Sequence, residues 1–176
     1  MDIAVFSFIN HLPHPFWADK GVLFLEYLGE ARTLLILAFL PFISGILLKK
    51  KEWWQRASVF ACAVFLTELT VILLKHGIHR ARPYAVLSGV YWIGHAAGSS
   101  FPSSHAALFA VLAVWMMLFL KKAHLFWLGL MGLGGLARVY QGAHYPTDVL
   151  GGWFVGALTA WGICNLFNFI LKSVEL

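Results

Sequence analysis

The chain has 176 residues, of which 60% are hydrophobic and only 12% charged, and its mean hydropathy is +0.77. Soluble globular domains run near roughly 45–50% apolar and about 25% charged, so the composition excludes an ordinary water-soluble domain and a disordered chain alike. The formal charge of +5 reports membrane topology once its residues are placed in short loops, and no nucleic-acid partner is expected.

At about 20 residues per span, this length predicts an all-α integral membrane bundle of about five transmembrane helices, a single domain over residues 1–176. Residues 1–20 mix Phe6, Phe8, Phe16 and Trp17 with Asn10, His11, His14, Asp19 and Lys20. That mixture predicts an interfacial segment, too short to span, and no cleavable signal peptide. A first span is expected over 21–48, with Glu26, Glu30 and Arg32 in its opening turns at an interface or against protein. The basic loop Lys49–Arg56 carries the aromatic anchors Trp53 and Trp54, and a second span follows over 57–78. After a polar stretch to Ser104, spans are expected over 105–120, 125–141 and 148–171, with Lys121-Lys122 as a tight turn between the third and fourth. Cys62 and Cys164 each fall inside an apolar run and are expected as buried thiols, not as a disulfide framework.

Antiparallel threading puts Lys49, Lys50, Lys51, Arg56, Lys121, Lys122 and Lys172 on one side, seven of the 13 Lys and Arg residues. The positive-inside rule makes that side cytoplasmic. The loop 79–103 and the turn 141–147 then lie on the outer face.

Three polar clusters meet at that outer face: Lys75 to Arg82-Pro83, then Pro102-Ser103-Ser104-His105, then Arg138 to His144 and Asp148. Ionisable side chains cost about 2.5–3.5 kcal/mol each near a bilayer centre, which marks them as functional candidates. Lys75, Arg82 and Arg138 together repel one another unless a polyanion joins them, and phosphate matches guanidinium forks and a lysine point charge. Ser103 or Ser104 caps the helix that His105 opens, and its free N–H groups add to anion binding. His105 is placed as a nucleophile. His144 and Asp148, four residues apart, let the carboxylate hold one imidazole nitrogen, favour the protonated ring and leave the other nitrogen for proton transfer. No cluster of carboxylates able to hold magnesium accompanies these residues, so no metal or other cofactor is expected. His76, His79 and His95 are read as interface-facing or substrate-contacting residues in preference to metal ligands.

The clusters resemble the signature of the type 2 phosphatidic acid phosphatase (PAP2) family: Lys, six residues, Arg-Pro; Pro-Ser-Gly-His; Ser-Arg, five residues, His, three residues, Asp. Lys75, Arg82-Pro83, Pro102, Ser103, His105, Arg138, His144 and Asp148 match, nine typed positions within residues 75–148. Ser104 stands where the family usually has Gly, and Ala137 where it usually has Ser. The resemblance implies a metal-independent enzyme of a bacterial inner membrane with its site facing the periplasm. It implies a phosphohistidine at His105, with His144 as general acid and then base. Phosphate binding falls to Lys75, Arg82, Ser103, Ser104 and Arg138, and the substrate is an envelope lipid phosphate. Lipid A 1-phosphate and undecaprenyl diphosphate are favoured, with phosphatidylglycerol phosphate and phosphatidic acid as further candidates. Phosphoryl transfer to a lipid hydroxyl and non-enzymatic anion binding or transport are the alternatives, and the oligomeric state stays open. Gly129, Gly132, Gly134 and Gly135, with Gly151, Gly152 and Gly156, are expected to let helices approach closely within the chain.

Overall fold

A computed structural model of the chain describes residues 1–120 and 123–174. It is all-helical over these residues: α1 (Asp2–Asn10), α2 (Phe16–Leu28), α3 (Ala31–Leu47), α4 (Lys51–Ile78), the single turn α5 (Pro83–Val86), α6 (Ser104–Leu120), α7 (His124–Tyr140) and α8 (Pro146–Val174). The expected Lys121-Lys122 turn lies outside the described residues.

α6 sits at the centre, packed against α4, α7 and α8, with α3 lying along α4. Its residues from Ala106 to Val111 are all buried. Leu34, Ala38, Phe60, Ala63, Val64, Leu108, Val111 and Ala160 form one apolar cluster among α3, α4, α6 and α8. A second joins Phe6, Ala106, Val139, Tyr145 and Val149. Outward-facing positions are also apolar, among them Phe39, Phe65, Leu73, Phe154 and Phe169. In water so much exposed apolar surface would drive aggregation; facing lipid tails it costs nothing. Two segments, Lys51–Val86 and Pro146–Ile170, are long and apolar enough to cross a bilayer, and α2 with α3 adds a third if the bent pair counts as one.

Several expectations are corrected. The span expected over 21–48 is broken: α2 and α3 meet at a bend of 62°. Gly29 forms the corner because a Cβ there would lie 2.7 Å from Phe109 Cε2 and 3.2 Å from His105 Cδ2. α4 begins at Lys51, absorbing most of the loop expected over Lys49–Arg56. Lys, Glu, Gln and Arg are good helix formers, and Arg56 pairs with Glu52 one turn earlier at 3.1 Å. Cys62 is exposed on α4, whereas Cys164 is buried as expected. The N-terminal segment is more than a surface strip. Phe8, Phe16 and Trp17 are exposed, but Phe6 and Asn10 are fully buried. Asn10 donates from Nδ2 to the carbonyls of Tyr91 and Tyr140, both at 2.8 Å, and so ties α1 to α7 and to the loop 79–103.

The glycines serve packing inside the chain where α6 meets α7 and α8. A Cβ at Gly134 would run into Phe109, one at Gly152 into the Ser103 carbonyl, and one at Gly156 into the Ala107 carbonyl. Gly129 and Gly132 have no atom within 4 Å of a Cβ position and take no part in this packing.

Candidate active site

Local sequence aims each polar side chain at one end of the bundle. α4 stops at Ile78 with His79 in the left-handed conformation, φ 51°. Pro83 then holds the preceding Arg82 extended, at φ −79° and ψ 152°, which turns its guanidinium back under the loop. Ser103 caps α6: its Oγ accepts from the Ala106 N–H at 3.4 Å. At the start of α8 the Asp148 carboxylate reaches back to accept the Tyr145 N–H at 2.8 Å, the return half of a capping box.

The structure brings the three sequence clusters together. Lys75 Nζ donates to the Ser99 carbonyl at 2.7 Å. Arg82 donates to the carbonyls of Gly98 at 3.0 Å, Ala97 at 2.8 Å and Ser99 at 3.2 Å, and its Nη1 lies 3.1 Å from both the Ala143 carbonyl and His144 Nε2. Arg138, only 2% exposed, meets Glu26 Oε1 at 2.9 Å and Gln141 Oε1 at 2.5 Å. His105 lies beneath the α2–α3 corner, close enough to Arg138, His144 and Arg82 to interact electrostatically. Ser103 is committed to its cap, while Ser104 is half-exposed on the first turn of α6.

Two expectations about His144 are corrected. Its Nε2, expected free for proton transfer, receives an Arg82 N–H, so the resting ring is neutral with Nδ1 carrying the proton. Asp148 Oδ2 lies 3.6 Å from Nδ1, because that carboxylate is shared. Arg80 Nη1 holds Oδ1 at 2.6 Å, and Ser100 Oγ and the Tyr145 N–H hold Oδ2. Burial therefore dominates, and with the fields of Arg138, Arg82 and Lys75 it outweighs the Asp148 contact and pushes His144 down to about 3.

Arg80, Gln141 and Glu26, none of them placed in the site from the sequence, complete it. Arg80 stands between Lys75 and Arg82 in the first cluster, and Gln141 lies inside the third, so both were visible as polar residues without partners. Glu26 shows no local signal: Gln141, from whose Nε2 it accepts a 3.0 Å hydrogen bond, is 115 residues away. His105 Nε2, His144 Nδ1 and Arg138 Nε are buried with no hydrogen-bond partner among the described residues. Such orphaned atoms are costly; His144 Nδ1 has Asp148 Oδ2 at 3.6 Å, and a tetrahedral oxyanion supplies an acceptor for Arg138 Nε and an electrophile for the His105 lone pair. Among the described residues no group of three or more His, Cys, Asp or Glu is placed to hold a metal ion.

Known proteins are similar to this chain in sequence and fold. The sequence model of the PAP2 superfamily matches residues 56–172. The chain is 40% identical over 112 residues to a lipid A 1-phosphatase of Rhizobium etli, an alignment covering 57% of this chain and 47% of that protein. It thus spans about half the length of the first curated relatives it matches. It is 35% identical over 180 residues to undecaprenyl-diphosphatase BcrC of Bacillus subtilis, covering 100% of this chain and 89% of the relative. The crystal structure of a transmembrane PAP2 type phosphatidylglycerolphosphate phosphatase from Bacillus subtilis superposes with a TM-score of 0.80 at 26% identity, covering 96% of this chain and 85% of that one.

Proposed function

The chain belongs to the PAP2 superfamily, and from that premise we propose that it is a metal-independent lipid phosphatase of a bacterial inner membrane. Residues 1–176 form one domain that crosses the bilayer five times, counting α2 with α3 as one span and α6 and α7 as short ones. Each of the latter has 17 residues, about 26 Å at 1.5 Å per residue, close to the hydrocarbon thickness of about 30 Å. The site faces the periplasm, opposite the basic turn at Lys49–Lys51.

One observation carries the reading: Lys75, Arg82 and Arg138 all act electrostatically on buried His144, and beside it His105 Nε2 and Arg138 Nε are buried without a partner among the described residues. Lys75, Arg82, Arg138 and the N–H groups at the start of α6, near Ser103 and Ser104, bind the phosphate oxygens. The phosphate then takes the place of the 97–99 carbonyls on Lys75 and Arg82. Its negative charge also raises the proton affinity of His144, and Arg82, turning to the phosphate, releases Nε2. His105 Nε2 attacks phosphorus, the bond to the lipid oxygen breaks, and that oxygen leaves with the proton of His144. A water molecule then gives a proton to His144 and attacks phosphorus, the P–N bond breaks, and inorganic phosphate departs with His105 restored. Asp148, 3.6 Å from Nδ1 in the resting structure, supports the imidazolium as it forms. The relatives' names favour lipid A 1-phosphate and undecaprenyl diphosphate as substrates.

The test is phosphate release by detergent-solubilised protein from lipid A 1-phosphate, undecaprenyl diphosphate, phosphatidylglycerol phosphate and phosphatidic acid in EDTA. Release persists under chelation and falls by at least about 10³-fold in His105→Ala. An unchanged rate in that variant removes His105 as nucleophile, and loss of activity in EDTA removes metal independence.

A further inference from the structure

Asp148 is the carboxylate behind His144, and what stands behind Asp148 is a second ion pair reaching the other end of the sequence. Arg80 Nη1 donates to Asp148 Oδ1 at 2.6 Å and to Thr147 Oγ1 at 2.7 Å. Its Nη2 donates to Asp2 Oδ2 at 2.6 Å. The guanidinium lies over the Tyr145 ring, 4.1 Å from its centroid. Asp2, in the first turn of α1, also accepts from the Thr147 N–H at 3.1 Å and from Thr147 Oγ1 at 2.6 Å. Four hydrogen bonds therefore clamp Asp2 and Arg80 to the first turn of α8, a fifth joins the two to each other, and the Tyr145 ring just before α8 stacks on Arg80. Burial alone would raise the Asp2 carboxyl, but its bonds to Thr147 and Arg80 hold it below the usual carboxylate range, so it is ionised at neutral pH.

We propose that Asp2 and Arg80 are positioning residues for the phosphatase reaction: an alternating relay, Asp2 to Arg80 to Asp148 to His144, sets how much of the Asp148 charge reaches the imidazole. The proposal rests on the phosphatase reading above. Arg80 draws on the same carboxylate that has to support the His144 imidazolium. Asp2 neutralises part of Arg80 and thereby gives that support back. The α1 helix is in this way a component of the site, although none of its residues hydrogen-bonds to His105 or His144 among the described residues. Other charged groups facing His144 are Arg82 and Lys75 beyond and within α4, Arg138 on α7, and His105 on α6, with Glu26 of α2 facing Arg138. Asp2 acts on this set through Arg80.

The two charges oppose each other, so the variants separate a relay from a mere structural tie. Asp2→Asn leaves the whole of Arg80 on Asp148. The His144 imidazolium is then less supported, and the basic limb of the kcat–pH profile moves to lower pH. Arg80→Gln frees the Asp148 charge and moves that limb to higher pH. Each variant lowers kcat about tenfold with KM little changed, since phosphate contacts stay intact. Asp2→Glu, which keeps the charge, holds the limb near its parental position. Limbs that stay put, or that move the same way in both variants, overturn the relay. The measurement pairs these assays with 15N NMR of His144 in micelles, which needs no substrate. A parent that releases no phosphate sinks the phosphatase reading alone, and the ring nitrogen shifts then decide the relay: opposite displacements in Asp2→Asn and Arg80→Gln support it, and identical spectra or displacements in the same direction overturn it.

Discussion

His144 and Asp148 show how far the allocation of single hydrogen bonds decides chemistry. The neutral ring accepts from Arg82 at 3.1 Å, and its pKa of about 3 lies below the ordinary histidine value of about 6.5. Between those two values the unfolded chain binds the proton that the folded chain refuses. Stability of the ligand-free protein is therefore complete above about pH 6.5 and declines as pH falls toward 3. Thermal unfolding in detergent from pH 7.5 to 4.5 measures this, and His144→Asn gives a shallower slope than the parent. The types and spacings of Lys75, Arg82, His105, Arg138, His144 and Asp148 were legible in the sequence because fixed intervals survive folding. The sharing of Asp148 among Arg80, Ser100 and the Tyr145 N–H was not, since segments far apart in the chain compete for two oxygens. Glu26 was undecided for the same reason: its role exists only once α2 lies against α7.

At the level of helices, the close approach of α6 to α8 fixes the distance between the half of the site carrying His105 and the half carrying His144 and Asp148. Gly152 and Gly156 permit it, each meeting backbone carbonyls at the start of α6 where any side chain would intrude. Gly156→Ala forces the helices apart at the Ala107 carbonyl, at a cost of about 1–3 kcal/mol. We expect a lower unfolding temperature and a reduced kcat, while Gly129→Ala, which faces open space on α7, changes neither by more than the usual surface effect. Thermal unfolding and phosphate release on the two variants check this. Helix positions were legible in the sequence to within a few residues, except at the start of the second span and in the first. Hydropathy is blind to direction, so an apolar run that turns by 62° at Gly29 reads the same as a straight one. The polar turns of α4 read as loop because composition alone does not reveal the Glu52–Arg56 pair.

For the whole molecule, the basic turn before α4 and the site lie at opposite ends of the bundle, which gives a direct check on orientation. Cysteines placed at Ser88, in the outer loop, and at Lys50, exposed in the turn before α4, should react differently with a membrane-impermeant maleimide. Position 88 labels in intact spheroplasts and position 50 only after lysis; the reverse pattern inverts the topology. Cys62, exposed on α4, is replaced by Ala first. Fold class was legible from composition, because no aqueous core accommodates a chain that is 60% hydrophobic. The outer loop was not, since its shape depends on anchors such as Asn10 that lie on another helix. That loop already lends three carbonyls, from Ala97, Gly98 and Ser99, to Lys75 and Arg82. It is thus an intramolecular competitor at fixed effective concentration, and any anion must displace it. Measured affinity is then the difference between two ligands of the same cations, and a free phosphate ion, with no lipid tail to hold it nearby, is displaced more readily than a phosphate carried on a lipid.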